Sequence, residues 1–172
     1  ARVIASAPKG NGGTWLIDPA DATINQSTAN TYLTSLNAGT SVVNSVSGDI
    51  TVSDSVTLTK NAGASATLTL QATGSIALGT GTTLSSTSNA LNVVLWSNSS
   101  GAAAGGNVQI GNNSQILSNG GALIIGGGSA SGTTNGPTAP TGAAVGTSTS
   151  GDGVLIGSGV TLRSANGALS IT

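Results

Sequence analysis

Three stretches of this chain superimpose without a gap: IALGTGTTLSSTSNALNV (76–93), VQIGNNSQILSNGGALII (108–125) and VLIGSGVTLRSANGALSI (154–171). Five of their columns are aliphatic in all three: Ile76, Val108 and Val154; Leu78, Ile110 and Ile156; Leu84, Ile116 and Leu162; Leu91, Leu123 and Leu169; Val93, Ile125 and Ile171. With 37% hydrophobic residues, chance gives fifteen such hits on the order of 10^-7. Gly79, Gly111 and Gly157 share a fourth column, Ser86, Ser118 and Ser164 an eleventh, and Ala90, Ala122 and Ala168 a fifteenth. An earlier copy opens at Ile50, Val52 and Leu58, with Leu68 and Leu70 opposite Leu91 and Val93 once three residues are inserted. A degenerate copy falls within YLTSLNAGTSVV (32–43).

A repeat of this length is one supersecondary unit that cannot bury its apolar face alone, so copies must stack. Side chains alternate along a strand, so the first and third columns share one face, as do the last two. Gly in the fourth column suits a bend. Each copy reads as three short strands separated by turns, all turning aliphatics the same way. Composition agrees: 5% charged, 2% aromatic, and rich in Gly, Ser, Thr and Asn, which form helices poorly. The expected class is all-β, a parallel β-helix, one segment over 1–172. Copies start at 50, 76, 108 and 154, and the growing excess lies in 97–106 and 126–153. Both follow the last strand of a copy, so loops project from one edge, and 126–153 is expected to be a mobile inserted loop.

Chemistry has little to work with. The chain has no His, Cys or Glu, and no apolar run long enough to span a membrane. Net charge is -1, and the basic residues Arg2, Lys9, Lys60 and Arg163 are scattered, which argues against nucleic acid. The acids are Asp18, Asp21, Asp49, Asp54 and Asp152. Asp49 and Asp54 form the best local pair for acid–base work, but they read as turn-forming aspartates without partner groups. Calcium nonapeptides and phosphate-binding Gly loops are missing. No catalytic, cofactor or metal residue is expected, and no enzyme. Trp15 and Ile17 are expected to pack over the first copy, with Asp18 and Pro19 turning the chain, so that 1–31 forms a cap or joint. Asn25, Asn98 and Asn112 open sequons, which a chain this rich in Asn, Ser and Thr yields by chance.

GGTWLIDPADATI (12–24), followed by SGDITV, ATLTLQATGSIAL, NALNVVLWSN and GGNVQIGNNSQILSNGGALIIGGG, resembles the repeat region of two-partner secretion exoproteins of the filamentous haemagglutinin-like family. The resemblance runs from Trp15, Leu16, Ile17, Asp18 and Pro19 through Gly48, Asp49 and Ile50 to about residue 128. It implies a right-handed β-helical rod, exported through an outer-membrane partner pore to the bacterial surface. There it would act in adhesion or matrix formation against a glycan or protein receptor. The secretion domain and toxin tip of that family have no counterpart here. A polysaccharide lyase or glycosidase on the same fold, an ice-binding solenoid and a functional amyloid are the rival readings. The final strand, NGALSIT, lacks a charged or Pro-rich terminator, so further coils of the same chain or end-to-end stacking are expected there.

Overall fold

The structure is a computed structural model that describes residues 3–5, 12–133 and 136–172. It opens with β1 (Thr14–Ile17), β2 (Ala22–Ile24) and helix α1 (Gln26–Asn37). Strands then follow in triplets: β3 (Ser41–Val46), β4 (Ile50–Val52) and β5 (Thr57–Lys60); β6 (Ala66–Ala72), β7 (Ile76–Leu78) and β8 (Thr83–Ser86); β9 (Leu91–Ser97), β10 (Val108–Ile110) and β11 (Gln115–Leu117). The rest comprises β12 (Leu123–Gly132), β13 (Ala139–Gly142), β14 (Val154–Ile156), β15 (Thr161–Arg163) and β16 (Leu169–Ile171).

Three sheets result. Sheet 1 runs β1-β3-β6-β9-β12, with β13 and β16 both on β12; sheet 2 runs β14-β10-β7-β4-β2; sheet 3 runs β15-β11-β8-β5. All pairs are parallel except β12–β13. Each parallel strand pairs with one a full circuit away, and the chain visits the three sheets in rotation. This mostly-strand topology fits a parallel solenoid. In sheet 2, Ile50, Ile76, Val108 and Val154 stand in one row and Val52, Leu78, Ile110 and Ile156 in another. In sheet 3, Leu58, Leu84, Ile116 and Leu162 stand together. These are the columns of the repeat.

Sheet 1 departs from the gapless alignment by two residues. Leu123 stands opposite Val93 and Ile125 opposite Leu95, not Leu91 and Val93; Leu68 and Leu70 likewise meet Val93 and Leu95, and Ala66 meets Leu91. The turn before β9 is two residues longer between paired positions (84 to 93) than the turn before β12 (116 to 123). A slip of two keeps every inward residue inward, so the hydrophobic pattern alone could not detect it.

The second departure is α1. Tyr32–Asn37, read as part of a degenerate strand copy, is helical. Gln26–Asn37 is poor in helix formers, but Ala29, Tyr32 and Leu36 recur at helical spacing and are buried. Burial of that face, together with the Asn25 cap whose Oδ1 accepts the Thr28 N–H at 3.0 Å, outweighs weak propensity. The helix packs on β5, where sheet 3 has no further strand among the described residues. Within 1–31, residues 1, 2 and 6–11 lie outside the described residues; β1 and β2 are the first members of sheets 1 and 2.

Residues 126–153, expected to be a loose insertion, contribute the second half of β12 and all of β13, apart from Thr134 and Asn135, which lie outside the described residues. The reason is on β9. Its outward Val94 and Trp96 form an apolar patch, and Ala139 of the folded-back hairpin covers it. The Trp96 indole N–H donates to the Gly128 carbonyl at 2.8 Å.

Inward rows are shielded until the last circuit. Ile50, Val52, Leu58, Ile76, Leu78, Leu84, Leu91, Val93, Val108, Ile110, Ile116, Leu123 and Ile125 are buried, and Val154 and Leu162 are partly buried. Ile156, Leu169 and Ile171, expected in the core, are exposed at 43%, 51% and 42% because, among the described residues, their strands are paired on one side alone. Leu123→Ala should therefore cost about 2–5 kcal/mol in urea unfolding, while Leu169→Ala should change stability by no more than about 0.5 kcal/mol. Equal losses at both positions would show that the last circuit is covered.

Candidate functional site

The corners between sheets are where the polar residues gather. Where sheet 1 hands over to sheet 2, the side-chain oxygens form a ladder. Asp21 Oδ1 accepts the Asp49 N–H at 2.8 Å, Asp49 Oδ1 accepts the Ser75 N–H at 2.7 Å, and Ser75 Oγ accepts the Asn107 N–H at 3.2 Å. Asn107 Nδ2 then donates to Ser150 Oγ at 3.1 Å. Asp21, Asp49 and Ser75 thus each hold the backbone of their counterpart one circuit later, while Asn107 reaches a side chain. The room comes from glycine: a Cβ at Gly48 would strike Asp21 Oδ1, and one at Gly74 would strike Asp49 Oδ1. At the next corner Asp54 Oδ1 accepts the Thr80 N–H at 2.8 Å, and Asn112 Oδ1 accepts the Ser158 N–H at 2.8 Å.

Asp49 and Asp54 therefore stand at different corners, before and after β4, and each carboxylate already accepts a backbone amide. They are not brought together as an acid–base pair. Among the described residues no three of His, Cys, Asp and Glu gather in one place. Trp15 meets Tyr32 edge to face, with centroids 5.8 Å apart, and packs with Ile17 against the core; Asp18 and Pro19 turn the chain from β1 to β2. Of the sequons, Asn98 is buried, Asn25 caps α1 and Asn112 holds Ser158. Contacts thus occupy the side chains of Asn25 and Asn112, while Asn98 Oδ1 is buried without a hydrogen-bond partner.

Comparison with family models, curated proteins and solved structures finds no match for this chain. The grooves must be read from their own lining. A groove of about 480 Å³ lies between sheet 1 and the hairpin, with Ser41, Thr67, Asn92 and Pro137 along it and no charged side chain among the described residues that line it. A second, about 270 Å³, opens beside Trp15, Ile17, Thr31 and Tyr32. Outward rows are mixed: Thr23, Thr51, Ala77, Gln109 and Leu155 on sheet 2, and Thr57, Thr83, Gln115 and Thr161 on sheet 3.

The third corner holds a group that sequence reasoning passed over as a scattered base. Lys60 is fully buried, pointing inward beside Leu58. Its Nζ donates to the carbonyls of Ala62 at 2.7 Å and Gly63 at 3.3 Å, and to Ser88 Oγ at 3.3 Å. Lys60 pairs with Ser86 in sheet 3, and Ser86 and Ser118 perform the same task, donating to the carbonyls of Asn89 at 2.7 Å and Gly121 at 2.6 Å. The signal was the serine column, whose first member is replaced by lysine. The longer side chain spans a longer turn.

Burial pushes the Lys60 ammonium below its ordinary 10.5, and burial pushes the Tyr32 hydroxyl above its ordinary 10.0, against an opposing hydrogen bond from Asn44. Just below pH 10.5 the unfolded chain holds the lysine proton that the folded chain has released, so stability rises with pH there. Above pH 10.0 the unfolded chain loses the tyrosine proton first, so stability falls. Thermal melting across this range should show both arms. Lys60→Met should remove the rise and Tyr32→Phe the fall; persistence of either slope would assign it to another group. Asp49→Ala should cost about 0.5–2 kcal/mol, since it strips a hydrogen bond to a backbone amide at a semi-exposed corner. A loss below about 0.3 kcal/mol would make the corner ladder ornamental.

Proposed function

We propose that this chain is a right-handed parallel β-helix, with about three short strands per coil and loops inserted at one edge, and that it serves as an extracellular structural or adhesive segment of a secreted bacterial surface protein. The observation that carries the reading is the use to which the polar residues are put. Asp21, Asp49 and Asp54 each tie one circuit to the next. What remains outside is a long, nearly uncharged surface of Ser, Thr, Asn and Gly. A surface of that kind suits a rod or fibre better than a cleft built for chemistry.

The resemblance to filamentous haemagglutinin-like exoproteins supports export through an outer-membrane partner pore and contact with a cell-surface glycan or protein. Self-association end to end, or continuation of the same chain into further coils, is part of the same proposal. A lyase or glycosidase would need two convergent carboxylates, and an ice-binding face would need one residue type repeated along a row. The separated aspartates and the mixed outer rows count against both.

Two experiments test the reading. Fused behind a two-partner secretion domain and expressed with its pore, the chain should reach the medium; retention in the periplasm would overturn the export step. Electron microscopy of the purified chain should show narrow rods, and immobilised chain should capture bacterial or host cells. Release of reducing ends from acidic polysaccharide, lost in Asp49→Asn, would instead establish the enzyme reading.

A further inference from the structure

We infer that the hairpin of β12 and β13 is a strap that lifts off the outer face of sheet 1 as one unit while the three sheets stay paired. Lifting it bares an apolar strip that the closed strap keeps from water. The inference goes beyond the structural or adhesive role proposed above and needs only the pairing of β6, β9 and β12.

The strip belongs to the stack and not to the strap. Val94 and Trp96 stand outward on β9, and the partly buried Ile124 stands beside Val94 on β12. Their strands are fixed by parallel pairing and by the inward side chains Leu91, Val93, Leu95, Leu123 and Ile125, which belong to the main core. The strip is sealed by a small cluster apart from that core, in which Val94 and Trp96 are buried together with Ala139 of β13. The contact that closes the strap is thus separate from the contacts that hold the stack.

The strap is weakly built. Its strands pair at Gly127–Gly142, Ser131–Pro140 and Gly132–Ala139, with a register shift between the first two pairs. Pro140 has no N–H, so its pair cannot exchange two hydrogen bonds. A two-stranded hairpin is marginal on its own, and Ser129, Ala130, Ser131 and Thr141 face solvent. The Trp96 indole N–H, donating to the Gly128 carbonyl at 2.8 Å, ties the strap to the sheet beneath.

Its two feet, by contrast, are firm. Gly127 pairs with Ser97 of β9, and Ile125 just before it pairs with Ile171. After β13, Ala144 enters the main core and its N–H donates to the Thr172 carbonyl at 3.0 Å, while Gly106 and Val145 exchange hydrogen bonds at 3.0 and 3.2 Å. The bends fall at glycine: Gly128 has φ +86°, and a Cβ at Gly142 would stand 2.8 Å from the Gly127 carbonyl oxygen. A segment with firm feet, glycine at its bends and a thin apolar seal opens locally at less cost than global unfolding. The strap therefore decides when the Trp96 indole, Val94 and Ile124 meet water on an otherwise polar, nearly uncharged surface.

Hydrogen exchange followed by NMR on the 172-residue chain tests this. The β9 amides of Leu91 and Val93, which donate to the Ser118 and Ala122 carbonyls at 3.0 and 2.8 Å, report on the stack. The Trp96 indole N–H reports on the strap. It should be protected about a hundredfold less than those amides, and low urea should speed exchange of the amides but not of the indole. Ala139→Asp, which sets a charge under the strap, should abolish the remaining indole protection and let the dye ANS bind, with the β9 amides unchanged. The milder Ala139→Ser should lower indole protection several-fold. An indole that exchanges with the protection and urea dependence of the β9 amides would make the strap an integral part of the stack and overturn the inference. So would an Ala139→Asp chain that loses β9 protection along with the indole's, or one in which the indole stays protected. None of these outcomes bears on export or cell capture, since the three sheets are paired in both positions of the strap.

Discussion

Pairing between residues one full circuit apart is the constraint on which this molecule depends. No single circuit has a face it can bury against itself. Ile76 is dry because Ile50 lies on one side and Val108 on the other. Burying such a side chain contributes about 1.5–3 kcal/mol, and nearly every inward position is filled by Ile, Leu, Val or Ala. The corners repeat the same logic in polar form, since Asp21, Asp49 and Ser75 each grip the circuit that follows. The structure is thus held by nearest-neighbour terms, one set apolar and one polar, acting in the same direction.

How much of this could be read in advance differs from sheet to sheet. The rows of sheets 2 and 3 were legible because their strands are short, their turns nearly constant in length, and their aliphatics isolated between polar residues. Sheet 1 was legible in kind but not in register: the longer strands β6 and β9 carry aliphatics at several alternate positions, so two alignments look equally good. The helix was not legible. Its residues favour turns and strands individually, and its amphipathic face is only weakly apolar, so tertiary cover decided its conformation. The hairpin over Trp96 was hidden by its composition, since a Gly-, Thr- and Pro-rich segment reads as loop whether or not an apolar patch awaits it.

The corner ladder shows a different failure. Its members, Gly48-Asp49, Gly74-Ser75 and Gly106-Asn107, were present in the sequence as recurring dipeptides. Taken singly, each is an ordinary turn former. Only their recurrence at circuit spacing distinguishes a residue that shapes its own turn from one that binds the next. Lys60 is the same lesson: a charge in a column of serines looks like noise until the carbonyls it serves are seen.

Helix α1 bears on how such a chain reaches its folded state. Every parallel contact closes a loop of a full circuit before any reward arrives, and the chain entropy lost must be met by the first strands that meet. Helix α1 can form from neighbouring residues alone, and Asn25 starts it. Once it lies against β5, each later circuit finds a finished template and adds as one unit. Growth of the stack from the helix toward β16 would then follow the order in which the chain is synthesised.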